Sequence, residues 1–154
     1  MSRIKELQKQ IDKILGKDDK FKHAAHLHGV SLAAVLIAKK RGVNPELAAM
    51  AGLLHDLYAY KAGSYDDHAH LGAEYAKQLL EKLELTTPEE MEIICTAIWN
   101  HDNKAEINAP MDEVLKDADV MDHALSDPIK DVSEHEKERY LKLCEDFGLQ
   151  GCFR

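Results

Sequence analysis

Apolar residues recur at three- and four-residue spacings along almost the whole chain, the period of a helix with one buried face. Ile4, Leu7, Ile11 and Ile14 form the first such stripe, which Gly16 can close. The stretch from about Phe21 to Lys40 is apolar over much of its surface, through Ala33-Ala34-Val35-Leu36-Ile37-Ala38, and reads as a central helix. Asn44-Pro45-Glu46 supplies an N-cap, a proline at the first helical position and an acidic first turn. The helix it opens runs into Leu53-Leu54-His55-Asp56. A polar turn with Gly63-Ser64 and Asp66-Asp67 precedes a helix from His68 to about Leu83. Thr87-Pro88-Glu89-Glu90 fits a capping box for the next, which reaches about His101. Beyond the break at Asn108-Ala109-Pro110, a helix carries Val114 to Ala124, and Ser133 with Glu136 caps a last one ending near Gly148. No stretch sustains period-two alternation, and no repeat or Gly/Pro/Ser-rich linker divides the chain. The expected fold is all-α: a single-domain helical bundle of about six to eight helices over residues 1–154, with a C-terminal helix at about 134–147.

Composition narrows the function classes. At 154 residues the chain can bury a real core. Lys plus Arg number 20 against 28 acidic residues, a net charge of −8, which speaks against nucleic acid and against an anionic membrane surface as partners. The longest apolar run, Leu47 to Leu54, is far short of the roughly 20 residues of a membrane span. The segment MSRIKELQKQ has no apolar signal character. Cys95, Cys144 and Cys152 show no CxxC spacing and read as reduced thiols, so a cytoplasmic protein is expected.

Histidine changes the picture. Six of the nine histidines fall between His23 and His70, most of them inside apolar, helix-like stretches. His26, His55, His68, His101, Asp56 and Asp119 sit at helix ends or on apolar faces, each on a different predicted helix apart from the adjacent pair His55-Asp56. A helical bundle can converge such groups in its core, and imidazole with carboxylate suits divalent Mn, Fe, Co, Ni or Zn. Burying them unpaired would be costly. On a helix, adjacent side chains diverge by about 100°, so His55 and Asp56 can face two sides of one metal centre.

The stretch HLHGVSLAAVLIAKKRGVNPELAAMAGLLHDL, from His26 to Leu57, resembles the HD-domain superfamily of metal-dependent phosphohydrolases. The resemblance continues through HAHLGAEYAKQLL from His68, AIWNHDNK around His101 and LKDADVMDH around Asp119, covering about residues 21–125. Spacing like that of the dinucleoside tetraphosphate hydrolase branch, with Val30 and Gly42-Val43, selects His26 over His23 and His28 as the first ligand. In DAD the second aspartate, Asp119, matches the terminal ligand, while Asp117 caps or orients.

The resemblance implies a metal held by His26, His55, Asp56 and Asp119. His68 and His101 complete a second site bridged by Asp56, or hydrogen-bond the substrate or act as acid. Asp56, His68 and His101 are thus the catalytic candidates, with one or two divalent transition metals as cofactors. The implied chemistry is hydrolysis of a phosphate ester or anhydride, in a nucleotide or small phosphorylated metabolite, by hydroxide generated on the metal. Many members carry glycine after the pair and a lysine four residues past the histidine, where this chain has Tyr58 and Ala59. The phosphate contact is then expected at Lys61 or, second, Lys104, with Tyr58 and Tyr60 facing the substrate. The same ligand set also resembles di-iron HD-domain oxygenases acting on a polyol or phosphonate, and a non-catalytic metal-stabilised binding module is the third reading. His23, His28, His70, His123 and His135 are read as structural or surface residues, and Trp99 with Ile93, Ile94 and Ile98 as core. The Ile4–Ile14 stripe is a packing face or the contact of a homodimer.

Overall fold

The computed structural model describes residues 1–17 and 20–152. Among the described residues, helices are α1 (Arg3–Leu15), α2 (Lys20–Arg41), α3 (Pro45–Leu54), α4 (Leu57–Ala62), α5 (His68–Leu83), α6 (Pro88–Asn100), α7 (Pro110–Ser126) and α8 (Glu134–Phe147), with no strand. The all-α bundle expected from the periodicity is what forms.

Local signals act where they stand. Ser2 caps α1 by accepting from the Lys5 amide at 3.2 Å. Asn44 Oδ1 accepts from the amides of Glu46 and Leu47 at 3.0 and 3.2 Å. Thr87 and Glu90 complete a reciprocal capping box on α6. The α1 stripe packs inward: Leu7 and Ile11 are buried, and Ile4 and Ile14 lie against the core. Arg3 fastens it, reaching Glu46 Oε2 at 2.6 Å and Glu90 Oε2 at 2.7 Å.

α2 is central, packed on α3 and α7. Gly52 permits the α2–α3 approach, because a Cβ there would lie 2.7 Å from Ser31 Cα. Gly29 leaves room for the Asp122 carboxylate of α7, whose Oδ1 a Cβ there would overlap. α3 and α7 both pack on α2, and His26 of α2 faces Asp56 of the HD pair and Asp119 alike.

Several expectations are corrected. The third helix ends at Leu54, so His55-Asp56 forms the joint between α3 and α4 and is not a pair on one helix. Asp56 leaves the helical region at φ −113°, ψ 4°, which redirects its carboxylate. α4 itself is not legible in the sequence, being one and a half turns of mixed residues. Ser133 gives α8 no side-chain cap; its hydroxyl donates to Glu136 Oε2 at 3.0 Å. Ile94 and Ile98 are core, but Ile93 and Trp99 are exposed, and Trp99 stacks on His70 at 4.0 Å. Cys144 and Cys152 form a disulfide across Cα atoms 6.4 Å apart, which leaves Cys95 as the free thiol among the described residues. The cytoplasmic expectation rests on reduced thiols, and this bond removes that support. No helix among the described residues is long and apolar enough to cross a membrane.

Candidate metal centre

Helix ends supply much of the site. A helix C-terminus leaves carbonyls without intrahelical partners, and a histidine just past it can claim one. His55 Nδ1 donates to Gly52 O at 2.7 Å and His101 Nδ1 to Ile98 O at 2.6 Å. His68, the first residue of α5, donates from Nδ1 to Tyr65 O at 3.0 Å. His26 lies inside α2, where carbonyls are spent, and its Nδ1 donates instead to Asp122 Oδ2 on α7 at 2.8 Å. In its neutral form each of the four rings is thereby held in one tautomer with Nε2 free to accept, the usual preparation of a metal-binding imidazole.

The four Nε2 atoms converge on two carboxylates. His26 Nε2 and His55 Nε2 are 3.2 Å apart. Each lies 3.5 Å from Asp56 Oδ2. Asp119 Oδ1 completes this group, 3.4 Å from His26 and 3.5 Å from His55. The other Asp56 oxygen, Oδ1, faces His101 Nε2 at 3.3 Å and His68 Nε2 at 3.6 Å. Ligands about 2.1 Å from one ion stand roughly 3.0–3.4 Å from each other, close to these separations.

The donor set fits a divalent cation. Asp56 Oδ1 and Asp119 Oδ1 are buried without a hydrogen-bond partner, and in their neutral form the imidazoles, each tied down at Nδ1, turn Nε2 lone pairs toward them. A cluster of acceptors aimed at each other is repulsive unless a cation sits among them. The carboxylates are anionic. Burial would raise Asp56, but His55, His101 and His26 hold it well below the usual range. Burial likewise opposes the ionised form of Asp119, and Lys104, His26 and His55 overcome it. Without a cation the surrounding charge draws a proton to His26: burial disfavours its charged form, yet Asp119, Asp122 and Asp56 push it up to about 12, so a bound metal ion would take the place of that proton. His101, almost wholly buried, is lowered by desolvation.

All six ligand candidates therefore meet, whereas the substrate candidates divide. Lys104 is buried, its ammonium 2.8 Å from Asp119 Oδ2 and 2.7 Å from His101 O. It neutralises and holds a ligand and does not present a charge to a substrate. Lys61 lies 4.6 Å over the ring of Tyr75, which Tyr58 also meets. These contacts turn Lys61 and Tyr58 toward α5, and the structure does not bring them to the centre. Tyr60 does border it, stacked on His23 at 3.9 Å and set edge-on to His26 at 6.4 Å. Asp117 is bound by Arg41 at 2.7 Å and Arg139 at 3.1 Å, clear of the cluster.

Asp122 is absent from the sequence-derived set, although its place three residues after Asp119 puts both on one face of α7. His123 and Glu136 are absent too; their pairing joins residues on two helices.

The HD domain family profile matches residues 24–125, which span every ligand candidate. A predicted HD superfamily hydrolase from an uncultured Thermotogales bacterium, known from its crystal structure, is 24% identical, with a TM-score of 0.66 over 96% of this chain and 90% of that one. At that identity the likeness speaks for the fold. The ordered ligands, their geometry and the profile together place the chain in the HD-domain family.

Proposed function

We propose that the chain is a metal-dependent phosphohydrolase acting on a phosphate ester or anhydride of a nucleotide or small phosphorylated metabolite. The observation that carries it is the division of Asp56, one oxygen toward His26 and His55, the other toward His68 and His101. His26, His55, Asp56 and Asp119 would hold one cation; His68, His101 and Asp56 would hold a second. Divalent ions so placed lower the pKa of bound water and offset charge on a transferring phosphoryl group.

The protein's own groups supply position and charge. Asp56, with one oxygen toward each pair of histidines, would set the spacing of the two halves. Lys104 keeps Asp119 ionised and stops it rotating, through its contact at 2.8 Å. The carbonyls of Gly52, Tyr65 and Ile98 hold three imidazoles in place. In the net reaction a water oxygen bonds to phosphorus, the ester P–O bond breaks, and the leaving oxygen takes up the proton. The buried core behind His55, Asp56 and His101 excludes bulk water from that face.

The test is phosphate release from a panel of nucleotides and sugar phosphates by protein reconstituted with Mn, Co, Ni, Zn or Fe. Turnover abolished by Asp56→Ala supports the proposal. No release with any metal, or oxygen consumption by the iron form on polyols or phosphonates instead, overturns it.

A further inference from the structure

One more imidazole reaches the cluster. His123 follows Asp119 by one turn of α7, and its Nε2 stands 3.5 Å from Asp119 Oδ1. Its ring stacks on His26, with centroids 5.1 Å apart and planes 6° apart. Its Nδ1 is hydrogen-bonded to Glu136 Oε1 at 2.9 Å. Glu136 is a buried carboxylate in the first turn of α8, and Ser133 Oγ donates to its other oxygen at 3.0 Å. A buried carboxylate has to recover its lost hydration, and here both oxygens are spent on this brace.

Exposure separates His123 from the ligands. The side chains of His26, His55, His68 and His101 are 15, 0, 13 and 2% exposed. That of His123 is 47% exposed, so it borders the centre on the solvent side. Asp119 Oδ1 faces Nε2 of His26, His55 and His123 alike, at 3.4, 3.5 and 3.5 Å. If Oδ1 serves a cation held by the first two, Nε2 of the more exposed His123 would be left for whatever occupies the mouth. Neither candidate lysine competes there: Lys104 is committed to Asp119 and Lys61 lies over Tyr75.

We propose that His123 is a substrate-contacting residue that, as an imidazolium ion-paired with Glu136, donates from Nε2 to a phosphoryl oxygen, and that Glu136, steadied by Ser133, is the positioning residue that aims it. This rests on the phosphohydrolase reading above.

The experiment measures the affinity of inorganic phosphate for Mn-loaded full-length protein by calorimetry, beside metals per chain. The samples are the parent, His123→Gln, Glu136→Leu and the double variant, with His135→Ala as a surface control. Metal content is expected to be equal in all. Phosphate affinity is expected to fall about tenfold or more in His123→Gln, the scale of a lost charge-assisted hydrogen bond. Glu136→Leu should lose part of that, and the double variant should bind no more weakly than His123→Gln. A merely structural Glu136 would instead add its effect to that of His123, which would overturn its positioning role. Unchanged phosphate affinity in His123→Gln overturns the contact. So does loss of a metal ion in that variant, which would make His123 a ligand, and so does a loaded parent that binds no phosphate. If phosphate binds in a His123-dependent way but no ester is cleaved, the hydrolase reading fails and the oxyanion contact stands.

Discussion

Asp122 Oδ2 accepts the Nδ1 proton of His26 at 2.8 Å, and its carboxylate fills the space that a side chain at Gly29 would need. A residue on α7 thus sets the tautomer of a ligand on α2. Removing the carboxylate frees the imidazole to rotate and to change tautomer. Asp122→Ala should weaken the first metal by about 10–100-fold while leaving the helices intact. Chelator competition with circular dichroism alongside measures this. Unchanged affinity would show that the helix alone orients His26.

Gly52 tests the contact that seats the HD pair. Gly52→Ala places a Cβ 2.7 Å from Ser31 Cα and 2.8 Å from its amide nitrogen, and backbone cannot give way cheaply. A loss of about 1–3 kcal/mol is expected, read by denaturant unfolding. Metal affinity should fall with it, since Gly52 O also receives His55 Nδ1. A variant as stable as the parent would mean that α2 and α3 pack less closely.

The Arg3 anchor carries a pH signature away from the metal centre. Hydrogen bonds from Arg3 hold the carboxyls of Glu46 and Glu90 below their usual value of 4.5. Groups depressed on folding add stability that is present above that value and lost as pH falls through their folded values. The stability difference between the parent and Arg3→Met should therefore be largest near neutrality and shrink below about pH 4.5. Added salt should reduce it, because the pairs are partly exposed. A difference that is flat from neutral to acid pH would contradict this linkage.

Thiol titration of unreduced, denatured protein should find one reactive group per chain, Cys95. Three would mean that Cys144 and Cys152 are not joined.

What is legible in the sequence is local. Asn44, Thr87 and Gly16 announce helix ends because capping is decided within four residues. The ligands are legible because ionisable side chains on apolar faces are costly to bury unless a cation or a partner compensates them, and the HD resemblance orders them. What escapes depends on partners distant in sequence. Lys104 carries nothing local to show that it turns inward to Asp119, 15 residues on. The His123–Glu136 pair spans 13 residues and two helices. Asp56 is misplaced on a helix for a different reason: its excursion to ψ 4° ends α3 without a glycine or proline to mark it.

The proposed chemistry stands on a two-part centre split across Asp56. The decisive experiment is elemental analysis of purified, untagged protein beside His68→Ala. About two transition-metal ions per chain are expected in the parent and about one in the variant. One ion in both would confine the centre to His26, His55, Asp56 and Asp119, and no ion even after reconstitution would overturn it outright.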